Sequence, residues 1–486
     1  MTITVKSYIN GQWKEHVEGK VKTRYNPADT REVVYTYQEA TDAEALEVID
    51  IAQAAYPSWK KIPASKRGEY LFEIARLLRQ EKEELATVVV GEEGKTYNDA
   101  VNEVGYAAGI IEFYAGACRR LKGTIQDADI PNVQIETKSE ALGVVLIITP
   151  WNFPLSIPAW KIAPAIASGN TAVLKTSSET PYTAMKLMEI IEKADLPEGV
   201  VNHVLVPGKT VPKMIQHKAV KAVTFTGSNS VGNRVYQEAA KEMKRCLLEM
   251  GGKNPLIVME DADLDEAVQI AAAGAYGQTG QACTATGRII VHEDIAESFT
   301  NKLVEHTKQI KVGNGLEESV AMGPHVSESE LQSTLDFIES AKEEGATLLT
   351  GGSVPSGETF ENGYFIEPTV FTNVSPTMRI AREEVFGPVS NIIKIKNIEE
   401  AISVANDVDY GLSSAICTNH LPYINKALAE IEAGIIKVNM TTTGTFFQAP
   451  FGGRKSSSTN TYKELGEESL DFYLQSKTRY IKSKEV

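Results

Sequence analysis

Short segments rich in β-branched residues alternate with helical segments along residues 142–291. The predicted strands cover residues 142–148, 171–174, 200–206 and 222–225, and the clearest helix between them covers residues 182–193. Strands that alternate with helices favour βαβ units, in which successive strands run parallel and helices cover the sheet. The sequence therefore predicts an α/β protein with a largely parallel sheet.

The same alternation resumes after the glycine pair at 251–252. Strands are predicted at 254–259 and 287–291, and a helix is predicted at 295–310. The chain has 486 residues, which exceeds the size at which one hydrophobic core keeps growing. We therefore predict a second α/β domain, with a boundary near residue 250.

Four further segments have a regular pattern. Residues 43–60 and 65–88 have the periodicity of amphipathic helices. Residues 125–140 and 472–481 have an alternating, extended pattern with no local pairing partner. Because an isolated two-stranded ribbon is only marginally stable, we expect these two segments to form a small β extension at an oligomer interface.

Charge and composition exclude several classes of protein. The net charge of −15 argues against a nucleic-acid partner, which usually requires a basic face. No apolar run approaches the roughly 20 residues that cross a bilayer, and the first residues lack the apolar region of a signal peptide. The four cysteines are too far apart for a zinc or redox motif. We therefore expect a cytoplasmic protein with no membrane partner and no metal site.

Two positions on the predicted sheet are suited to a nucleotide. Gly227 and Ser228 lie between the strand at 222–225 and a helix, where backbone amides at a positive helix end can approach a pyrophosphate. Lys175 follows the strand at 171–174, and ligands of open α/β sheets bind at this carboxyl edge. These signals also occur in ordinary structural turns and on solvated surfaces.

Cys283 and Glu249 are candidates for covalent chemistry. A thiol needs a nearby base or a positive field to become a thiolate, and Glu249 precedes the glycine pair at 251–252. Most cysteines in intracellular proteins are small buried hydrophobes. The spacing of the two residues alone therefore does not establish a catalytic pair.

Six motifs in order resemble the aldehyde dehydrogenase superfamily, and they span nearly the whole chain. The motifs are residues 149–154 (TPWNFP), 225–228 (FTGS), 249–255 (EMGGKNP), 280–283 (GQAC), 383–388 (EEVFGP) and 450–453 (PFGG). Six matches in family order are far less probable by chance than any single match. The resemblance implies the hydrolytic type of this superfamily rather than the CoA-acylating type.

The resemblance implies a role for each catalytic position. Cys283 would attack the aldehyde carbon, and the Asn152 amide with the Cys283 backbone N–H would hold the oxyanion of the thiohemiacetal. Glu249 would activate the water that hydrolyses the thioester. Lys161 and Glu464 would belong to a proton path to Glu249, although the unusual segment at 454–462 differs from the glycine-rich stretch of the family.

The resemblance also implies NAD or NADP as cofactor and assigns its binding residues. These residues are Trp151, Lys175, Ser178, Gly208, Gly227, Ser228, Glu384 and Phe386. The implied domains are a Rossmann-like cofactor-binding domain (1–122 and 142–250), a catalytic α/β domain (251–450) and a β oligomerisation extension (123–141 and 467–486). The implied assembly is a homodimer or homotetramer.

The chain departs from the family pattern at the cofactor site. Many NAD-preferring members have a glutamate at the position of Ser178, where it binds ribose hydroxyls and repels a 2′-phosphate. A hydroxyl beside Lys175 should accommodate NADP, so we expect NADP or dual cofactor use. Glu179 is one residue away and could turn towards the ribose.

The chain also departs from the family at the substrate site. Members that oxidise carboxylate-bearing semialdehydes often have an arginine where this chain has Gly277, and Arg119 or Arg120 are possible substitutes. Tunnel positions implied by the resemblance are Phe153, Trp160, Thr284, Thr445 and Phe451. Their mostly apolar character favours an apolar or aromatic aldehyde. The alternative substrate is a carboxylate-bearing semialdehyde such as succinic or 2-oxoglutaric semialdehyde.

Three other readings are less consistent with the sequence. A CoA-acylating enzyme would typically lack the carboxylate of Glu249. A phosphorylating glyceraldehyde-phosphate type would pair its cysteine with a histidine, and none of the seven histidines shares a motif with Cys283. A nucleotide-binding protein without activity would not need Asn152, Glu249 and Cys283 together.

Overall fold

The computed structural model describes residues 3–483, so residues 1–2 and 484–486 of the predicted domains lie outside the described part. Within that part the α-helices are Asp42–Trp59, Ala64–Gln80, Lys82–Glu93, Tyr97–Ala117, Ser156–Ala167, Pro181–Lys193, Val211–Gln216, Asn229–Lys241, Leu264–Tyr276, Glu293–Lys308, Glu328–Glu343, Arg379–Arg382, Ile398–Asn406, Leu421–Glu430 and Leu470–Tyr473. Short 3-10 helices lie at Gly208–Thr210 and Gly277–Gly280.

The first large sheet contains all four strands predicted before residue 226. Among the described residues it has seven strands, in the order Arg245–Glu249, Val220–Thr226, Val144–Ile148, Thr171–Lys175, Val201–His203, Ser7–Ile9 and Gln12–Lys14. The first five run parallel, and the last two add antiparallel at the edge. This confirms the predicted α/β class with a largely parallel sheet.

The strand order reverses between Val144–Ile148 and Val220–Thr226. The chain continues from the first of these strands to one side of the sheet and from the second to the other side. Ligands of open α/β sheets bind outside the carboxyl ends of the strands at such a switch point. Trp151 and Asn152 follow the first strand, and Gly227 and Ser228 follow the second, so the fold brings these four residues to the expected edge.

A second sheet follows the glycine pair at 251–252. Within the described residues it too has seven strands, in the order Thr347–Thr350, Thr369–Thr372, Val389–Ile395, Thr286–His292, Asn254–Val258, Ser413–Cys417 and Ile435–Val438. All neighbours are parallel except the pair at the Thr347–Thr350 edge. The two strands predicted here, at 254–259 and 287–291, lie at its centre.

The segments predicted to lack a local partner pair with each other. Val133–Ala141 is the centre of a three-stranded antiparallel sheet, with Gly123–Asp127 on one side and Leu474–Lys482 on the other. The prediction of no local partner holds for residues 472–481, whose pairing joins segments more than 330 residues apart, and is wrong for residues 125–140, which form a local hairpin. The remaining strands form a small sheet of Ile3–Val5, Asp29–Gln38 and Val21–Asn26 and a ribbon of Tyr410–Gly411 and Arg454–Lys455.

The helix predicted at 65–88 is two helices. Glu81 has φ −100° and ψ 18°, which ends Ala64–Gln80 and starts Lys82–Glu93 in a new direction. The break lets Val89 and Val90 pack with Ala100 in a separate small cluster. No helix among residues 3–483 has the length and apolar character needed to cross a membrane.

Candidate active site

A left-handed turn precedes Cys283. Gln278, Thr279 and Gly280 have φ of 52°, 58° and 68°, a region in which non-glycine residues cost on the order of 1–3 kcal/mol each. A Cβ on Gly280 would lie 2.2 Å from the Gly387 carbonyl oxygen. Only glycine fits this close approach. The Thr279 hydroxyl offsets part of the strain by donating to the Gly323 carbonyl at 3.0 Å.

Side chains from the loop at 323–326 and from Asn254 hold the segment around Cys283. Gln281 Oε1 accepts from the Val326 backbone N–H at 3.0 Å and lies 3.1 Å from Nδ1 of buried His325. Asn254 Nδ2 donates to the Cys283 carbonyl at 2.9 Å. Among residues 3–483, no histidine hydrogen-bonds the Cys283 thiol. The thiol is therefore positioned by its backbone, and no histidine is placed to act as its base.

Asn152 lies against the nucleophile segment. Its Nδ2 donates to the Gln281 carbonyl at 2.9 Å, and its own carbonyl accepts from Lys95 Nζ at 2.8 Å. Lys95 is fully buried and pairs with Glu103 at 2.8 Å, whose other oxygen accepts the backbone N–H groups of residues 155 and 156. A satisfied buried ion pair thus fixes the loop that carries Asn152. The sequence analysis missed Lys95 and Glu103.

Glu249 ends its strand in a buried position. Its Oε2 accepts from the Gly453 N–H at 3.2 Å, and its Oε1 accepts from the Ser458 hydroxyl at 3.3 Å. Burial raises the pKa of Glu249 well above its usual range, and the nearby Glu464 carboxylate raises it further. Glu249 therefore keeps its proton to a higher pH than an exposed carboxyl group does.

Lys161 and Glu464 meet beneath Glu249. The buried Lys161 ammonium donates to the Thr224 hydroxyl at 2.8 Å and to the Glu464 carboxylate. Burial lowers the pKa of Lys161, although Glu464 opposes this shift. Phe451 and Glu464 exchange backbone hydrogen bonds of 2.5 and 2.7 Å, so the unusual segment at 454–462 closes a loop and returns Glu464 to the site.

Two carboxyl groups, those of Glu384 and Glu249, act on the Cys283 thiol. Burial raises its pKa, and the carboxylates of Glu384 and Glu249 raise it further. This raised pKa favours the neutral thiol. A neutral thiol needs a proton acceptor before it becomes a strong nucleophile.

The positions predicted for a nucleotide line the carboxyl edge of the first sheet. Ser228 precedes the helix Asn229–Lys241 and makes no side-chain cap, so the first helical amides are available for an anion. Gly208 opens a 3-10 turn with free space at its Cα. A Cβ on Gly227 would lie 2.6 Å from the Phe225 ring. Glycine at 227 therefore allows this turn to pack closely.

Lys175 and Glu179 differ in their charge partners. Among residues 3–483, no carboxylate lies within ion-pair distance of Lys175, and burial lowers its pKa to about 8. Ser178 has an exposed side chain, and its carbonyl accepts from the Tyr37 hydroxyl at 3.2 Å. Glu179, which could have turned towards the ribose, is instead bound to Arg24 Nη1 at 2.5 Å.

Glu384 and Phe386 approach from the side of the second sheet. Glu384 Oε1 accepts from the Gly252 N–H at 3.0 Å, and burial raises the pKa of this carboxyl to about 7. Phe386 has a φ of 58°. Its ring packs edge-on against the Trp151 ring, with 5.4 Å between the ring centroids. This contact joins a residue that follows a strand of the first sheet to one that precedes the strand Val389–Ile395 of the second.

Three of the five predicted tunnel residues lie in or against the same hydrophobic cluster as Cys283. Cys283 and Phe153 pack against one hydrophobic cluster that contains Trp160 and Phe451, whose rings lie 5.6 Å apart. Two polar features interrupt these walls. The buried Trp160 indole N–H has no acceptor among the described residues, and the hydroxyls of Thr445 and Tyr106 lie 2.6 Å apart.

The arginine candidates for a substrate carboxylate do not converge on this cluster. Arg120 is exposed and paired with Glu467 at 2.6 Å, and Arg119 is also exposed. Gly277 has open space around its Cα. Among residues 3–483 there is also no cluster of three acidic, histidine or cysteine side chains that could hold a metal ion.

Comparison with known proteins identifies full-length relatives. The sequence profile of the aldehyde dehydrogenase family matches residues 13–479. Alpha-ketoglutarate semialdehyde dehydrogenase of Haloferax volcanii is 46% identical over 99% of both chains, and the Bacillus subtilis enzyme of this kind is 42% identical over 99% of this chain and 98% of its own. The 2,5-dioxopentanoate dehydrogenase of Saccharolobus solfataricus is 43% identical over 97% of both chains.

Solved structures of related enzymes have nearly the same fold as this chain. A 3,6-anhydro-L-galactose dehydrogenase in complex with NADP has a TM-score of 0.96 and 37% identity, over 99% of this chain and 100% of its own. Betaine aldehyde dehydrogenase from Staphylococcus aureus in complex with NAD+ has a TM-score of 0.96 and 35% identity, over 99% of this chain and 95% of its own. The motifs, the fold and these matches agree: the chain belongs to the aldehyde dehydrogenase family.

Proposed function

We propose that this aldehyde dehydrogenase oxidises 2-oxoglutaric semialdehyde, also called 2,5-dioxopentanoate, to the dicarboxylic acid with NADP or NAD. The observation that carries the proposal is the 42–46% identity, over nearly the whole chain, to three relatives named for this substrate. The relatives thus support the alternative substrate of the sequence analysis better than an apolar or aromatic aldehyde.

The walls around Cys283 also suit a polar substrate. The Trp160 indole N–H lacks an acceptor, and the Thr445 and Tyr106 hydroxyls can redirect their protons towards a ligand. A 2-oxo acid provides several oxygen acceptors for such donors. We therefore assign these three side chains, rather than Arg119 or Arg120, as candidate contacts for the polar end of the substrate.

In the proposed mechanism, the ionised Glu249 carboxylate takes the Cys283 thiol proton, and the thiolate attacks the aldehyde carbon. The Asn152 amide and the Cys283 backbone N–H stabilise the oxyanion of the thiohemiacetal, and the Lys95–Glu103 pair keeps Asn152 in place. A bound nicotinamide cofactor would supply the hydride acceptor for this oxidation, and Glu249 would pass its proton on towards Lys161 and Glu464 before the next step. Glu249 then takes a proton from the water that hydrolyses the thioester, and Lys161 and Glu464 connect Glu249 to further proton acceptors.

The residues present fit a nicotinamide dinucleotide. The uncapped helix start at Ser228 suits a pyrophosphate, and Lys175 has no carboxylate within ion-pair distance among residues 3–483. We assign cofactor binding to these two residues together with Trp151, Ser178, Gly208, Gly227, Glu384 and Phe386.

We further propose the domain division and assembly implied by the resemblance. Residues 1–122 and 142–250 would form the cofactor domain, 251–450 the catalytic domain, and 123–141 with 467–486 an oligomerisation extension. Support for the last assignment comes from exposed Ile125, Tyr480 and Ile481 on its strands. A homodimer or homotetramer in the cytoplasm is the expected state.

A substrate panel tests the proposed function. With either cofactor, we expect kcat/KM for 2-oxoglutaric semialdehyde to exceed that for succinic semialdehyde, for a straight-chain aldehyde and for benzaldehyde by at least about tenfold, since unpaired donors disfavour apolar ligands. The measurement is the absorbance of reduced cofactor at 340 nm. Preference for benzaldehyde would instead support the apolar reading, and no activity with bound cofactor would indicate a protein without catalysis.

The charge of Lys175 predicts a pH dependence of NADP binding. The ammonium is charged below its pKa of about 8 and loses its charge above it, whereas a phosphomonoester with a second pKa of about 6 stays ionised throughout. Between pH 7 and 9 we expect the Kd for NADP to rise several-fold and the Kd for NAD to change much less. Fluorescence titration measures both, and Lys175→Met should flatten the NADP profile. A flat wild-type profile would exclude Lys175 from the phosphate site.

A further inference from the structure

We propose that Arg24 is a positioning residue for cofactor selection, which holds the Glu179 carboxylate away from the adenosine ribose and so permits NADP. This proposal rests on the proposed function, since it assumes that the ribose lies beside Lys175 and Ser178. Arg24 lies in the strand Val21–Asn26, far in sequence from the nucleotide motifs, and no motif singled it out.

The Arg24 guanidinium is fixed by acceptors from three separate segments. Its Nη1 donates to Glu179 Oε2 at 2.5 Å, and its Nη2 donates to the carbonyls of Glu92 at 3.2 Å and Val326 at 2.5 Å. The side chain is only 12% exposed. A planar fork held at several points keeps one direction, so the carboxylate that binds it is also held in one direction.

The backbone beside Glu179 is held without Arg24. The hydroxyls of Tyr35 and Tyr37 donate to the carbonyls of Glu179 and Ser178, each at 3.2 Å. The Glu179 N–H donates to the Ser177 hydroxyl at 3.2 Å. Loss of Arg24 would therefore free the Glu179 side chain while its backbone stays in place, one residue from the proposed ribose site.

The charges near this site explain why the ion pair between Arg24 and Glu179 would affect cofactor selection. Arg24 neutralises Glu179, and Lys22 neutralises Glu39 at 2.6 Å. The charge of Lys175 is then left to attract a 2′-phosphate. A released Glu179 would place a negative charge against that phosphate, and it could also accept the ribose hydroxyls of NAD. Glu330 is a further carboxylate near Glu179, and repulsion from it opposes the bound position, so the ion pair with Arg24 is what keeps Glu179 there.

Direct binding of the two nucleotides tests the proposal. The Kd of NAD and of NADP is measured by calorimetry on the full chain for the wild type, Arg24→Gln, Glu179→Gln and the double variant. We expect Arg24→Gln to shift the NADP-to-NAD affinity ratio towards NAD by on the order of tenfold. The double variant should return the ratio to within about twofold of wild type, because no carboxylate is left to repel the phosphate.

Two further variants, together with the Glu179→Gln single variant, make the result decisive. Ser178→Glu introduces a carboxylate that Arg24 does not hold, and it gives the size of a full shift towards NAD. Glu179→Gln alone should move the ratio towards NADP, and a move towards NAD would overturn the proposal. Arg24→Lys keeps the positive charge but loses the planar guanidinium fork. It should give an intermediate NADP-to-NAD affinity ratio, and it remains informative if Arg24→Gln does not fold.

Failure of the proposal is distinct from failure of the proposed function. Suppose that Arg24→Gln shifts the NADP-to-NAD affinity ratio and that the double variant does not restore it. Arg24 then acts only through the fold, and the proposal that it holds the Glu179 carboxylate is wrong. If the ratio is unchanged in folded Arg24→Gln, Glu179 does not reach the ribose site. If the wild type binds neither nucleotide, the cofactor assignment fails, and the proposed role of Arg24 fails with it.

Discussion

Replacing Cys283 with alanine should lower aldehyde-dependent formation of reduced cofactor by on the order of 10⁴-fold or more, because no covalent thiohemiacetal can form. The thiol lies in a segment held by backbone and side-chain contacts that do not include its sulfur. The Kd of NAD and NADP should therefore stay within about twofold of wild type. Absorbance at 340 nm and calorimetry measure the two properties on the same preparation.

Cys417→Ala is the matched control. Cys417 is a buried cysteine at the end of Ser413–Cys417 on the second sheet, so its loss removes a similar side chain away from the site. We expect a small decrease in thermal stability and a kcat close to that of wild type. Substantial turnover in Cys283→Ala would exclude Cys283 as nucleophile.

Glu249→Gln should trap the enzyme at the thioester. Glutamine cannot accept the proton of the attacking water, and a positioned general base contributes about 10²–10⁴-fold to rate. We expect a burst of reduced cofactor of about one equivalent per site, followed by slow turnover. Intact mass spectrometry after an acid quench should detect the acyl adduct, and hydroxylamine should release it.

The wild type also predicts a pH dependence for this step. Because burial raises the pKa of Glu249, the ionised base is scarce at low pH, and deacylation should accelerate as pH rises through that raised value. Glu249→Gln should lose this dependence. Glu339→Gln, at an exposed position on Glu328–Glu343, is the control with unchanged rate. Normal steady-state turnover in Glu249→Gln would assign the base elsewhere.

The parallel sheets could be predicted from sequence because their strands are short, apolar and locally bounded. Strands at 144–148 and 220–226 follow directly from β-branched runs that end at glycine or polar residues. The strand predicted at 200–206 is only Val201–His203. Its partner Ser7–Ile9 comes from the other end of the domain, so local composition could not define where the pairing stops.

The supporting contacts of the site could not be predicted because they join distant segments. Lys95 reaches the Asn152 carbonyl across 57 positions, and Arg24 reaches the Val326 carbonyl across 302. Glu103 did leave a signal, since it lies on a helical face between buried Ala100 and Ala107. A carboxylate on such a face requires a buried partner, but periodicity alone does not identify it.

The close contact between Gly280 and the Gly387 carbonyl has a consequence for protein engineering. The turn that presents the thiol rests directly on the segment that carries Glu384 and Phe386, so a library that randomises residues 384–388 to alter nicotinamide use would also displace the nucleophile. In the proposed cofactor site, Arg24, Ser178 and Glu179 lie at the far end of the dinucleotide, away from this contact. Redesign of cofactor preference should therefore begin at the ribose end. There, cofactor affinity can be changed without moving the Cys283 nucleophile.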